Sequence, residues 1–192
     1  MRTIRGTLAL SAFCLAMPIA GAYGQTDAFT DAAVRSDHHM LRALIRQGTE
    51  QSETFRALVS QVGTMNGIVY VQHARCRHSV RACLALKVVR AGPRRIMFVQ
   101  ARVMTDRRET IAAIAHELRH VTEVLEHDHI DSAGEMFLFY RHVASDRQTD
   151  YFETAAARAV TEAVRAELKR FEAARAHLGE SRVILQDPLP SR

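Results

Sequence analysis

Apolar positions along the chain change period twice, and these changes mark out its elements. Over residues 27–47, Phe29, Ala33, Val34, Met40, Leu41, Leu44 and Ile45 recur at roughly helical spacing and predict a helix stopped by Gly48. A second helix is expected over 52–62, with Phe55, Leu58, Val59 and Val62 on one face and Gly63 ending it. The pattern then becomes that of strands. Ile68, Val69, Tyr70 and Val71 dominate 67–73, and 83–89 and 95–103 are similar, with Ala91-Gly92-Pro93 supplying turn chemistry between the last two. Three strands so arranged predict a small antiparallel sheet. Helical spacing returns after Val103. Asp106, followed three residues later by Glu109, has the form of a capping box for a helix running to about residue 126. A polar loop over 127–131, a short helix over 134–144 and a long helix from Asp150 to about Leu178 follow. Gly179 closes that helix, and 179–192 is expected to be an extended tail. The expected class is α+β, with one domain over 25–178.

The first residues stand apart from this pattern. Arg2 and Arg5 precede an apolar run over 7–22, and Ala22-Tyr23-Gly24 places small residues where a signal peptidase reads, so 1–24 is expected to be a signal peptide cleaved after Gly24. The run is too short, and too interrupted by Pro18, to read as a membrane-spanning helix. Ala12-Phe13-Cys14 is a poor lipoprotein signal, so free export, periplasmic or secreted, is favoured over lipid anchoring and no stable membrane insertion is expected.

Composition changes the picture in two ways. Of 192 residues, 24% are charged and 47% hydrophobic, as in a soluble globular domain. Without residues 1–24, Lys and Arg number 24 against 21 acidic residues, a net charge of +3. That excess is too mild, and too evenly spread, to argue for nucleic acid. The cysteines that remain are Cys76 and Cys83, an even pair that favours a disulfide in an exported chain, worth about 2.5 kcal/mol as a short closed loop. A second zinc site built from His73, Cys76, His78 and Cys83 is the alternative.

The candidate chemistry lies in His116-Glu117-Leu118-Arg119-His120. Histidines four apart on a helix project to one side, so His116 and His120 can reach a single zinc ion. Glu117, beside the first ligand, can take a proton from water activated by the metal and pass it to a leaving amine. With 10 His and 12 Glu in the chain, chance alone gives this pentapeptide about 3% of the time, so context matters. Ile111, Ile114, Ala115, Leu118, Val121 and Leu125 share one helix face, whereas His116, His120, Glu123 and His127 lie opposite. A solvated polar stripe is the bland alternative.

The stretch Ile114-Ala115-His116-Glu117-Leu118-Arg119-His120-Val121 resembles the active-site helix of the zincin metallopeptidases, and is similar to exported bacterial proteins carrying the same motif. The resemblance covers this helix and, more loosely, the sheet before it and the helix after it. It implies a zinc-dependent hydrolase acting on peptide or protein substrates, with Glu117 as general base. It also implies a strand bordering the cleft, for which 95–103 is the counterpart. Arg119 departs from the uncharged residues usual between the two histidines.

A catalytic zinc site takes a third protein ligand and keeps a position open. The metzincin extension is absent, since Glu123 and Glu126 occupy the places of its Gly and third His. The gluzincin-like option remains, a glutamate from a following helix, and Glu153 is the choice, 33 residues beyond His120 and aligned with Ala156, Ala157, Val160, Val164 and Phe171. Its competing reading is the second half of a capping box opened by Asp150. Glu123 is better suited to accept a hydrogen bond from a ligand histidine than to reach the metal. His127 and His129 read as loop residues, and Tyr140 or His142 as candidate oxyanion donors. A non-catalytic exported zinc-binding protein is the alternative function, and a metal-free helical interaction module a third.

Overall fold

Four strands, β1 (Val34–Arg35), β2 (Gly67–His73), β3 (Ala82–Ala91) and β4 (Arg94–Ala101), form one mixed sheet in the order β1-β2-β4-β3. They belong to a computed structural model that describes residues 32–77, 80–144 and 152–184, with 178–184 as backbone alone. The expected signal peptide, Asp150, His78 and residues 185–192 lie outside the described residues.

The three-stranded antiparallel sheet expected from the sequence is corrected to a four-stranded mixed one. Only β3 and β4 pair antiparallel; β1–β2 and β2–β4 are parallel. Chain length explains the arrangement. Residues 74–81 are too few for a parallel crossover, so β3 runs opposite to β2. A two-residue turn then folds β4 back into the space between them. Gly92 takes φ +60° in that turn, a conformation that favours glycine. β1 replaces part of the helix expected over 27–47, because Val34 is buried opposite Val69 rather than placed on a helix face.

Alternation along the strands sorts the two faces of the sheet. Val69, Val71, Met97 and Val99 are fully buried on one. On the other, Tyr70 stacks on Phe98 at 6.1 Å between centroids, with Lys87 Nζ 4.9 Å above the Phe98 ring. Helices α1 (His39–Gln51), α2 (Glu53–Thr64) and α3 (Arg107–Leu125) pack on the sheet, and α5 (Ala155–Ile184) crosses α1, α2 and α3 from outside. α4 (Ala133–Val143), opened by a Ser132–Glu135 capping box, lies against β3.

Three of the expected glycine stops are not stops. Gly48 lies inside α1, where a Cβ would come within 2.9 Å of Ile111 and 3.0 Å of Phe55, so its role is close packing. Gly63 lies within α2, and α5 runs through Gly179 to Ile184, where an extended tail is expected. Asp106 caps α3 through Arg108 N, but Glu109 pairs with Arg165 on α5 instead of completing a box.

Two charged residues fix the helices. Arg95, at the start of β4, is 5% exposed and donates to the carbonyls of Val124, Leu125, His127 and Ile130, closing the C-terminal end of α3. Glu167, on α5, accepts hydrogen bonds from Ser52 Oγ, Thr54 N and Thr54 Oγ1 at the start of α2. Burial pushes its carboxyl up, but these bonds outweigh it and hold the group below the ordinary glutamate value. Its contribution is therefore present above the unfolded value near 4.5 and lost as pH falls through the lower folded one. Glu167→Gln is expected to cost about 1–3 kcal/mol at neutral pH, with the deficit shrinking in acid. Urea melts of both proteins at neutral and acidic pH check this; a deficit independent of pH contradicts it.

Candidate metal centre

α5 packs along α3, and most of the polar stripe of α3 is buried. Glu117 and Glu123 are each 7% exposed and His120 is 4% exposed. A carboxylate or imidazole so placed needs partners. The partners come from three elements.

His116, His120 and Glu153 converge, with one donor atom from each lying within 4.8 Å of the others. His116 Nε2 is 3.6 Å from Glu153 Oε1, and the two imidazoles meet edge to face at 4.9 Å. Glu153 stands two residues before α5. Thr154 Oγ1 accepts from Ala157 N and caps that helix, so the capping reading of Glu153 is replaced by Thr154.

Hydrogen-bond partners assign both histidine tautomers. The Thr161 hydroxyl donates to the Ala157 carbonyl at 3.0 Å, so at 2.9 Å from His116 Nδ1 it accepts. His120 Nδ1 donates to Glu123 Oε2 at 2.9 Å. In its neutral form each ring therefore carries its proton on Nδ1 and keeps the Nε2 lone pair for a ligand. Burial, reinforced by His120, lowers the His116 pKa to about 4, so this imidazole is neutral. For His120 burial acts downward, but the Glu123 hydrogen bond and the carboxylates of Glu117, Glu123 and Glu153 prevail and hold it above its usual value.

Glu117 is pushed up to about 7 by burial, opposed by His120 and by a backbone amide of Leu84 on β3 directed at its carboxylate. β3 is thus the edge strand beside the motif, not 95–103, which as β4 is internal to the sheet. Leu84 pairs with Val99 and Val88 with Met97, so β3 carries two extra residues just beyond Leu84, and Leu86 there is 41% exposed.

Several expected participants lie elsewhere. Tyr140 donates to the His120 backbone carbonyl at 2.6 Å, which removes it as an oxyanion donor. His142 is exposed, and His127 packs against Phe139 and His129 in the loop after α3. Cys76 and Cys83 are joined as a disulfide with Cα atoms 6.0 Å apart, so neither offers a thiolate to a metal. Thr154, Thr161 and the Leu84 amide have no place in a sequence reading built on charged residues. Thr161 left one signal, a polar residue four and eight positions beyond Ala157 and Glu153 on an otherwise apolar stripe. No family model, no curated protein and no solved structure significantly matches this chain.

The donor set fits a divalent metal ion: two neutral-capable imidazoles with oriented Nε2 atoms and one carboxylate.

Proposed function

We propose that this chain is an exported zinc-dependent hydrolase of peptide bonds, a metallopeptidase of the zincin type. The observation that carries the reading is the convergence of His116 and His120 on α3 with Glu153 in the link before α5, and with Glu117 buried beside them. Imidazole and carboxylate donors suit zinc, and an exported location agrees with the Cys76–Cys83 disulfide. Bound there, zinc supplies Lewis acidity toward a carbonyl and lowers the pKa of water toward ~7.

The chain's own residues supply the rest. His116, His120 and Glu153 hold the ion. Glu117, with a carboxyl raised to about 7, can take a proton and return it to a leaving amine near neutral pH. The outer edge of β3 offers backbone donors and acceptors to an extended peptide. Arg119 keeps its charge away from the reacting groups, on Glu123 at 3.5 Å and Glu126 at 3.3 Å.

One observation favours a second reading, a non-catalytic zinc-binding protein. Glu153 lies in the link leading into α5, so a metal held there staples α3 to α5. A mixed peptide library decides between the two. Cleavage by zinc-loaded protein, lost on chelation and regained with zinc, is expected of the hydrolase. A chelator that lowers the melting temperature of a protein inert to every peptide supports the staple and contradicts the hydrolase.

A further inference from the structure

We propose that Thr154 positions the third ligand through Glu123, so that Arg119, Glu123 and Thr154 form a latch joining the histidine helix to the start of α5. The inference rests on the metal-site reading above. Glu123 uses both carboxylate oxygens: Oε2 accepts from His120 Nδ1 at 2.9 Å, and Oε1 accepts from the Thr154 hydroxyl at 2.8 Å. Arg119 Nε lies 3.5 Å from that same Oε1. Thr154 also acts through its lone pairs, accepting from Ala157 N at 3.1 Å. One buried side chain, 8% exposed, thus caps α5 and ties it to α3.

The position of Thr154 gives the latch its consequence. It follows Glu153 directly, and Glu153 precedes the helix, so no intrahelical hydrogen-bond ladder fixes the ligand's backbone. The Glu123–Thr154 bond anchors the residue next to it. The same carboxylate orients His120, so a single group sets two of the three ligands relative to each other. Arg119, the residue out of pattern in the motif, approaches the same Oε1 that accepts from Thr154 and so holds the carboxylate from the histidine helix. A cap alone would require only the Thr154 lone pair. The donated hydrogen bond to Glu123 is what distinguishes a latch from a cap.

Zinc affinity measured by chelator competition on the full chain tests this with Thr154→Val, Thr154→Ser, Glu123→Gln and the Thr154→Val/Glu123→Gln pair. Thr154→Val is expected to weaken zinc by about 10–100-fold, and Thr154→Ser, which keeps the hydroxyl, to restore it. Because Thr154 acts through Glu123, the double variant is expected to bind about as well as Glu123→Gln alone. The His120 Nδ1–H resonance in metal-free protein is expected to move in Thr154→Val and return in Thr154→Ser. Strictly additive losses, or a Thr154→Val protein with wild-type affinity, overturn the latch. A wild-type chain that takes up no zinc while the resonance responds as described overturns the metal-site reading and leaves the hydrogen-bonded latch standing.

Discussion

Glu117→Gln protein is expected to retain zinc and to lose peptide turnover by roughly 100- to 10,000-fold. The two effects separate because Glu117 is not among the converging donors, which are His116, His120 and Glu153. Glutamine has nearly the same shape and keeps a carbonyl oxygen to accept from the Leu84 amide. It cannot accept and release the proton. Burial lifts the wild-type carboxyl to about 7, so the native group exchanges a proton near neutral pH. Metal content by mass spectrometry and turnover on a cleaved library peptide give both readouts from one preparation. Unchanged turnover removes Glu117 from the chemistry.

Arg95→Met is expected to cost about 3–5 kcal/mol. On a chain of this size that lowers the melting temperature by about 6–20 °C. Arg95 donates to four carbonyls at the end of α3 and in the following loop, and burial leaves those oxygens without water when the guanidinium goes. Methionine fills much of the stem's volume, so the loss measures hydrogen bonding rather than a cavity. The test is calorimetric melting of both proteins. A drop of only a degree or two means that the loop re-satisfies its carbonyls and that Arg95 does not hold the helix.

Arg95 also shows why part of the architecture was hidden in the sequence. It sits at the head of an alternating strand and looks like a surface residue, since nothing local records that the end of a helix 30 residues later will need a donor. The helices α2, α3 and α4 and the strands β2, β3 and β4 were legible because periodicity and turn chemistry are local. Sheet order was not, because inserting β4 between β2 and β3 depends on chain length and burial. β1 was invisible for a similar reason: two residues carry no period, and Val34 fitted a helical stripe equally well. The glycines misled in the opposite direction. Gly48 is required by the approach of Ile111 and Phe55, a tertiary demand that resembles a helix stop on paper.

The site divides along the same line. His116, Glu117, His120 and Glu153 stood out as charged or ligating residues at meaningful spacing, and Glu123 as an acceptor for a ligand histidine. Thr154 and Thr161 did not, since a threonine at the start of a helix or within one has many ordinary uses and only the folded geometry brings its hydroxyl to Glu123 or His116. By sequence, Arg119 departs from the uncharged residues usual between the two histidines. In the fold its charge is taken up by Glu123 and Glu126.

The most direct measurement is the metal content of untagged protein purified without added metal, by inductively coupled plasma mass spectrometry, beside a His116→Ala/His120→Ala variant. One zinc per chain in the wild type and none in the folded variant is expected. Wild-type protein without stoichiometric zinc, or a variant that keeps it, contradicts the assignment of these residues as a zinc centre.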